Sequence, residues 1–412
     1  MRPDVVADVA TIVSDCATQP DAATHSVTAL HMITCEYPPQ LGGVADFTRT
    51  IADRVAQTGR EVHVWAPGTT GTVVEASGVI VHREFGSFSL RDRKRVASLL
   101  DETARDRTLF LQWVPHGFGA RAMNVGFCLW LRDRVRHHDE RLDLMVHEPF
   151  LPFRGSSWRA KLAAVVQRAM MAVLLRAATV TWVSTTSWIP RLRGLAPDTV
   201  RFNWLPVPSP FPIDRDVEKV AKRRYDLAEP AETLVGHLGT YGTATLGLLT
   251  DAICRIAHLK PSATFLLFGR GSDGARDRML HKYPVLENRL RATGVLDAAS
   301  ISQQMQACHL MIQPYPDGVS CRRTSLIAAL AHGLPVVTTT GELTEPMWAA
   351  QRAVELVAAA DAEQFARRSG ALIDDELRRT ALGARAAAMY EKHLSADRAV
   401  EMLTAYLDGV PA

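Results

Sequence analysis

Residues Gln313 to Thr340 read QPYPDGVSCRRTSLIAALAHGLPVVTTT, and the signals in them run strand, loop, helix, strand. The apolar run Leu310 to Ile312 enters a polar loop carrying Asp317-Gly318 and Arg322-Arg323. An Ala/Leu-rich helix follows, stops at Gly333, and gives way after Pro335 to the strand-like Val336-Val337-Thr338. In a parallel sheet such a unit sets its first loop at the carboxyl edge, where ligands collect, with the amino end of the helix facing that edge. Peptide N–H groups without intrahelical partners, together with the helix dipole, favour an anion there. Two guanidiniums beside the helix start match the paired hydrogen bonds that phosphate oxygens accept. The loop reads as a diphosphate cradle; an ordinary crossover with solvated arginines is the competing interpretation.

A chain of 412 residues exceeds one typical domain and suits two, each with its own core. Apolar content of 47% and charged content of 22% are those of a soluble globular protein. A formal charge of +3 gives no general affinity for polyanions, and no Cys/His finger, aromatic-basic sheet motif or basic tail is found, so nucleic acid is disfavoured as a partner. Cys16, Cys35, Cys128, Cys254, Cys308 and Cys321 show no paired spacing, which argues against a zinc site and a disulfide framework and for a reducing, cytoplasmic setting. The opening MRPDVVADVATIVSD lacks the continuous apolar core of a secretory signal. The longest apolar stretch, Leu162 to Val183, is interrupted by Arg168 and Arg176 and falls short of a membrane span.

Upstream of the cradle, strand and helix alternate twice. Residues 1–27 suggest a short helix and a polar tether at the periphery. Thr28 to Thr34 suits a buried first strand; Pro38-Pro39 and Gly42-Gly43 make a tight loop; Val44, Phe47, Ile51 and Val55 recur at helical spacing before Gly59. Glu61 to Trp65 then alternates as a strand. Paired glycines ahead of a helix let a ligand approach the backbone closely. Further strands are expected at Val79 to His82, Thr108 to Val114, Leu142 to Val146, Thr179 to Val183 and Val200 to Leu205. His116 and His147 follow two of these strand ends, at the ligand edge. The helix over 156–177 mixes Trp158, Arg159, Lys161, Arg168 and Arg176 with apolar residues; a core helix with a solvated basic edge is favoured over a membrane-surface helix. Four prolines in PVPSPFPID (206–214) mark a hinge. The alternation restarts with the strand Leu234 to Leu238, the loop Gly239 to Gly242, the helix Leu246 to His258 and the strand Thr264 to Phe268. Gly269-Arg270-Gly271 is too short for a dinucleotide fingerprint. From about Asp361 the tail is helical, with an amphipathic segment Ala396 to Leu407.

Two βα domains joined by a proline-rich hinge resemble the GT-B glycosyltransferases. YPPQLGGVADFTRTIADRVAQTGREVHVWAP, VGHLGTYG, LLFGRGSD, QACHLMIQPYPDG and ALAHGLPVVTT resemble their retaining family 4 branch, across most of residues 29–390. The resemblance implies an α/β fold of two Rossmann-like doubly wound domains facing across a cleft. It implies an acceptor-side domain over 28–206, a hinge over 207–217, a nucleotide-sugar-binding domain over 218–390 and a terminal helix in 391–412 crossing back to the first domain. The activity implied is transfer of a sugar, with retention, from a nucleotide-diphosphate donor to a small molecule or saccharide, the donor being substrate and no cofactor being required. Donor contacts would come from Gly42, Gly43, Gly239, Tyr241, Gly269, Asp317, Gly318, Ser320 and Thr324. Arg322 and Arg323 would stabilise the leaving diphosphate without a metal, and His147 or His116 would line the donor sugar or orient the acceptor.

Two departures stand out. The family's Arg and Lys after the first strand of the second domain are replaced by His237-Leu238-Gly239-Thr240-Tyr241, with no cation. Its two glutamates eight positions apart fall on Ser320 and Ala328 when aligned from Ala331 to Pro335, or on Asp317 and Ser325 when aligned from Asp317-Gly318. We assign Asp317 to the first acid's place and the displaced positive charge to Arg322 and Arg323. A catalytically silent GT-B subunit that activates a partner, or another GT-B sugar-phosphate enzyme, remains an alternative; a nicotinamide dehydrogenase lacks its glycine fingerprint and ribose acid.

Overall fold

Strand and helix alternate to build two sheets in the computed structural model, which describes residues 28–409 apart from 69–70, 104–105, 120–121, 139 and 154–156. The expected peripheral segment 1–27 lies outside the described residues. The first sheet contains β1 (Ala29–Ile33), β2 (Val62–Pro67), β3 (Thr72–Val74), β4 (Ile80–Phe85), β5 (Arg107–Trp113), β6 (Arg141–Val146), β7 (Val180–Val183) and β8 (Arg201–Trp204), in the order β3-β4-β2-β1-β5-β6-β7-β8. Among the described residues only the β3–β4 pair of this sheet is antiparallel. The second contains β9 (Thr233–Leu238), β10 (Ala263–Phe268), β11 (Leu290–Ala292), β12 (Leu310–Gln313), β13 (Val336–Thr340) and β14 (Glu355–Ala358), in the order β11-β10-β9-β12-β13-β14, parallel throughout.

Helices cover both faces of each sheet, which is why the central strands are apolar at nearly every position. Along β1, Leu30 and Met32 pack with Phe47 and Ile51, while Ile33 faces Leu111, Trp113 and Leu174 on the opposite side. Strand order reverses at β1, which lies between β2 and β5, and at β9, which lies between β10 and β12. In doubly wound sheets ligands bind beyond the carboxyl ends at such a reversal. The loops after β1, β9 and β12 all leave from those edges.

Several elements escaped the sequence. β3 is a three-residue, fully exposed hairpin partner, too short to carry a period. The helix Val125–His138 hides its stripe because Arg134 is buried among the apolar positions, held by Glu140 and Asp101. The helix Val217–Leu227 buries no residue and rests on its Asp216 cap, which accepts from the Lys219 N–H at 3.0 Å. β14 was likewise unread. Pro206 to Asp216, where the prolines cluster, form neither helix nor strand.

The last helix, Ala396–Leu407, packs Ala399, Val400, Leu403 and Leu407 against Phe47, Ile51 and Val55 of the helix Gly43–Ala56. Its Tyr406 hydroxyl donates to Asp143 Oδ1 at 2.9 Å, and the Arg141 guanidinium lies 4.4 Å from the Tyr406 ring centroid. Burial pushes the Asp143 carboxyl up to about 6, against the opposing pull of Arg141 and Tyr406. A carboxyl raised by folding is tolerated protonated, so its penalty is small near pH 4 and grows as pH rises through 6. Between pH 4 and 7 the unfolding free energy of wild type is therefore expected to fall by about 2 kcal/mol relative to Asp143→Asn. Urea titrations of both proteins at the two pH values check this; a difference that does not move with pH would contradict it.

Candidate active site

The chain leaving β12 is stitched in place before it reaches the arginines. Gln313 Nε2 donates to the Leu238 carbonyl at 3.2 Å, tying the ends of β12 and β9. The Tyr315 hydroxyl lies 3.3 Å from Gln313 Oε1 and 2.9 Å from Ser325 Oγ. Val319 N–H donates to the Thr339 carbonyl at 2.7 Å and Leu343 N–H to the Asp317 carbonyl at 2.9 Å. Between these bonds Gly318 has φ +84°, and a Cβ on it would overlap the Gly341 amide. Gly318 thus lets two backbones cross. Gly318→Ala is expected to lose about 2–4 kcal/mol of stability from left-handed strain and overlap; an unchanged urea midpoint would contradict this.

Asp317 sits between the two arginines. Arg322 Nη2 donates to Asp317 Oδ2 at 3.0 Å, and Arg323 Nη2 donates to Asp317 Oδ1. Arg322 Nη1 also donates to Glu148 Oε1 at 2.9 Å, from the loop after β6 in the first sheet. The guanidiniums are further held 5.4 Å over Trp188 and 4.5 Å over Tyr315, respectively. The Nε of each is buried with no hydrogen-bond partner among the described residues. Burial and then the Arg323 charge lower the Arg322 pKa from its ordinary value, while Glu148 and Asp317 pull it back up.

A buried carboxylate fixes the rest of the loop. Glu345 Oε1 accepts from Cys321 N–H at 3.1 Å and from the Thr185 hydroxyl, and its Oε2 accepts from Trp348 Nε1 at 2.8 Å. Thr185 follows β7, so Glu345 joins the cradle to the first sheet. Ser187 Oγ donates to the Leu343 carbonyl at 3.0 Å and Arg191 pairs with Glu342 along the same seam.

A cavity of about 470 Å³ lies between the carboxyl edges, within the range for a small-molecule site. Gly42, Gly43, Gly239, Tyr241, Gly269, Arg322, Arg323 and Thr324 all line it. Asp317 instead faces a second cavity of about 760 Å³, with Glu148, Phe150, Trp188 and Arg191, and Arg322 lines both. Gly318 and Ser320 line neither, and Ser320 is fully buried with its hydroxyl unpartnered among the described residues. His147 is buried behind the first cavity: its Nε2 lies 2.9 Å from Gln112 Oε1 and its ring meets Phe47 edge-on at 4.8 Å. Burial pulls it down to about 3, so it is neutral. His116 is exposed and lines neither cavity. The sequence-based role for both histidines therefore finds no place on either cavity wall.

The glycine loop also differs from expectation. At the start of the helix Gly43–Ala56, Glu36 Oε1 accepts from Val44 N–H at 2.9 Å and Ala45 N–H at 3.1 Å. Those donors hold a protein carboxylate rather than facing the cavity, and Gly42 has no room for a Cβ against it. Tyr241 is a brace: its hydroxyl lies 3.0 Å from both the His237 and Phe268 carbonyls, joining the ends of β9 and β10. Gly269, at φ +104°, packs so closely that a Cβ would stand 2.6 Å from the Gly239 carbonyl oxygen.

Arg270, His237 and Asp46 line the first cavity and are not among the site residues expected from sequence. Arg270 is exposed, lines the first cavity and has no ion-pair partner among the described residues. Its position between Gly269 and Gly271 at the end of β10 was the available signal. His237, at the end of β9, is buried with Nδ1 unpartnered among the described residues and is pulled down to about 3 by desolvation, hence neutral. The cavity is electrically divided: Arg270, Arg322 and Arg323 stand on the second-sheet side, and Asp46 on the first.

Two Rossmann-like parallel sheets with a cavity between their carboxyl edges place the fold in the GT-B class. Residues 232–375 match the family model described as glycosyl transferases group 1. Comparison with curated protein sequences gives no match. Over nearly its whole length the fold is similar to sucrose-phosphate synthase from Thermosynechococcus elongatus, at 16% identity over 92% of this chain and 98% of that one, with a TM-score of 0.71. It is similar to Anabaena HepE in complex with UDP-glucose, at 16% identity, 92% and 99% coverage and a TM-score of 0.64. A trehalose-6-phosphate protein from E. coli bound with UDP-2-fluoro glucose shares 11% identity, 93% and 99% coverage and a TM-score of 0.66.

Proposed function

We propose that the chain transfers a sugar, with retention, from a nucleotide-diphosphate donor to the hydroxyl or other nucleophile of a small molecule or saccharide. The observation that carries this is the pair Arg322 and Arg323, clamped on Asp317 at the start of the helix Thr324–Ala331 and facing the cavity at the strand-order reversal. The diphosphate would lie on these arginines and Arg270. As the anomeric C–O bond breaks, its electron pair passes to the diphosphate, and preplaced cations stabilise the anion that develops, each worth about 3 kcal/mol. These cations take the role that a metal has elsewhere. Arg322 lines both cavities, so an acceptor in the second would approach on the side from which the diphosphate departs. Its hydroxyl attacks that face and its proton passes to a leaving phosphate oxygen, which gives retention. On the wall of the second cavity, Arg191 and Asp317 would meet the hydroxyls of a saccharide acceptor.

The silent-subunit alternative draws on one observation: Ser325 and Ala328 stand where an acid would hold the ribose, and Ala328 is fully buried. Incubation with UDP-, GDP-, ADP- and dTDP-sugars, with release of nucleoside diphosphate followed and product configuration read by NMR, tests the proposal. One donor cleaved with retention is expected. Binding without turnover would favour the silent subunit, and an inverted product would overturn the same-face mechanism.

A further inference from the structure

The helix Trp158–Ala177 is apolar on two faces. One face packs into the first sheet's core through Ala164, Met170, Met171 and Leu174. The other turns Trp158, Leu162 and Val165 to solvent at 68%, 47% and 53% exposure, at the spacing of one helical stripe. Phe153, from the preceding loop, adds a further ring at 54%. A solvated face normally carries polar residues, so four large apolar groups together mark a surface built for contact. The flanks supply the second observation. Arg159 and Lys161 are exposed with no carboxylate partner among the described residues, and the helix contains four basic residues and no acidic one. The platform is held rigidly: Gln167 accepts from Leu151 N–H at 2.9 Å and donates to the Pro115 carbonyl at 2.9 Å, and the Arg168 guanidinium lies 4.2 Å over Phe150 and 3.7 Å over Phe153.

We propose that this face docks the protein on an anionic lipid surface, with Trp158, Leu162, Val165 and Phe153 entering the interface and Arg159 and Lys161 meeting phosphate headgroups. Trp belongs at such a boundary because its ring is apolar and its N–H polar. A second copy of the chain is the weaker occupant, because a two-fold contact through this stripe would bring the basic flanks toward one another. Phe153 and Arg168 also line the second cavity, so docking places its mouth at the lipid plane. If that cavity holds the acceptor, which rests on the function proposed above, a lipid-carried saccharide is the acceptor class that fits.

The test is sedimentation of the full chain with vesicles of phosphatidylcholine alone and of phosphatidylcholine mixed with phosphatidylglycerol. Binding to the mixed vesicles is expected to be about tenfold or more tighter than to phosphatidylcholine. The exposed pair Trp158→Ser with Leu162→Ser should lose about tenfold or more, and Arg159→Glu with Lys161→Glu should abolish the preference for the anionic lipid. No binding to either vesicle, binding indifferent to both pairs, or a dimer in solution that Trp158→Ser dissociates would each overturn the proposal. Vesicle binding needs no donor turnover, so its failure and a failure of the transferase proposal are distinguishable.

Discussion

Arg323→Ala is expected to lower kcat/KM for the nucleotide-sugar donor by about 10²- to 10³-fold, the effect of removing one preplaced cation from a developing anion. Arg322→Ala should cost at least as much, because it also releases Glu148 and leaves Asp317 with one partner. Lysine should rescue neither. The Arg323 fork spans Asp317 and the Tyr315 ring, a planar arrangement that a single ammonium does not reproduce. Initial rates on the cleaved donor measure this; a loss under about threefold for both variants would show the arginines to be a structural clamp.

Glu345→Ala should act on both stability and rate. The carboxylate is nearly fully buried, and its removal strands the Cys321 N–H and the Trp348 indole N–H while freeing the Thr185 hydroxyl. Leaving buried donors unpaired costs roughly 1–3 kcal/mol apiece, so a loss of about 3–5 kcal/mol is expected. Because Cys321 adjoins Arg322, the cradle loosens with it, and kcat should fall even where the protein stays folded. Glu345→Gln should help little, since an amide turns donors of its own toward at least one of those three groups. A urea midpoint equal to wild type in either variant would contradict this account of the seam.

How far the sequence carried depends on the range of the interaction. The strands β1, β9, β10, β12 and β13 were legible because a buried parallel strand is a short apolar run between turn signals, and the glycine and arginine loops lay at their ends. The GT-B architecture was implied by the resemblance of the motifs around those loops. What local pattern does not encode is which distant group fills a site. Glu36 precedes its helix by several residues and still reaches back to Val44 and Ala45. Glu148 meets Arg322, and Thr185 meets Glu345, only because two sheets face one another. Gly318 looked like a ligand glycine and is a crossing point of two backbones. His147 stands at the end of a strand, as expected, yet its ring turns inward to Gln112 and Phe47. The helix Trp158–Ala177 is a core helix with an exposed basic edge, as its sequence suggests, but with apolar residues on both faces the sequence does not say which side is covered.

The most direct test of the central claim is calorimetric titration of the wild-type chain with UDP, GDP, ADP and dTDP beside the corresponding monophosphates, repeated on Arg322→Ala and Arg323→Ala. If the cradle holds a donor diphosphate, one diphosphate binds at least about tenfold more tightly than its monophosphate, and that margin disappears in both variants. If no nucleotide binds, or if the diphosphate margin survives in both variants, the cavity between the sheets is not a nucleotide-sugar site and the proposed function fails with it.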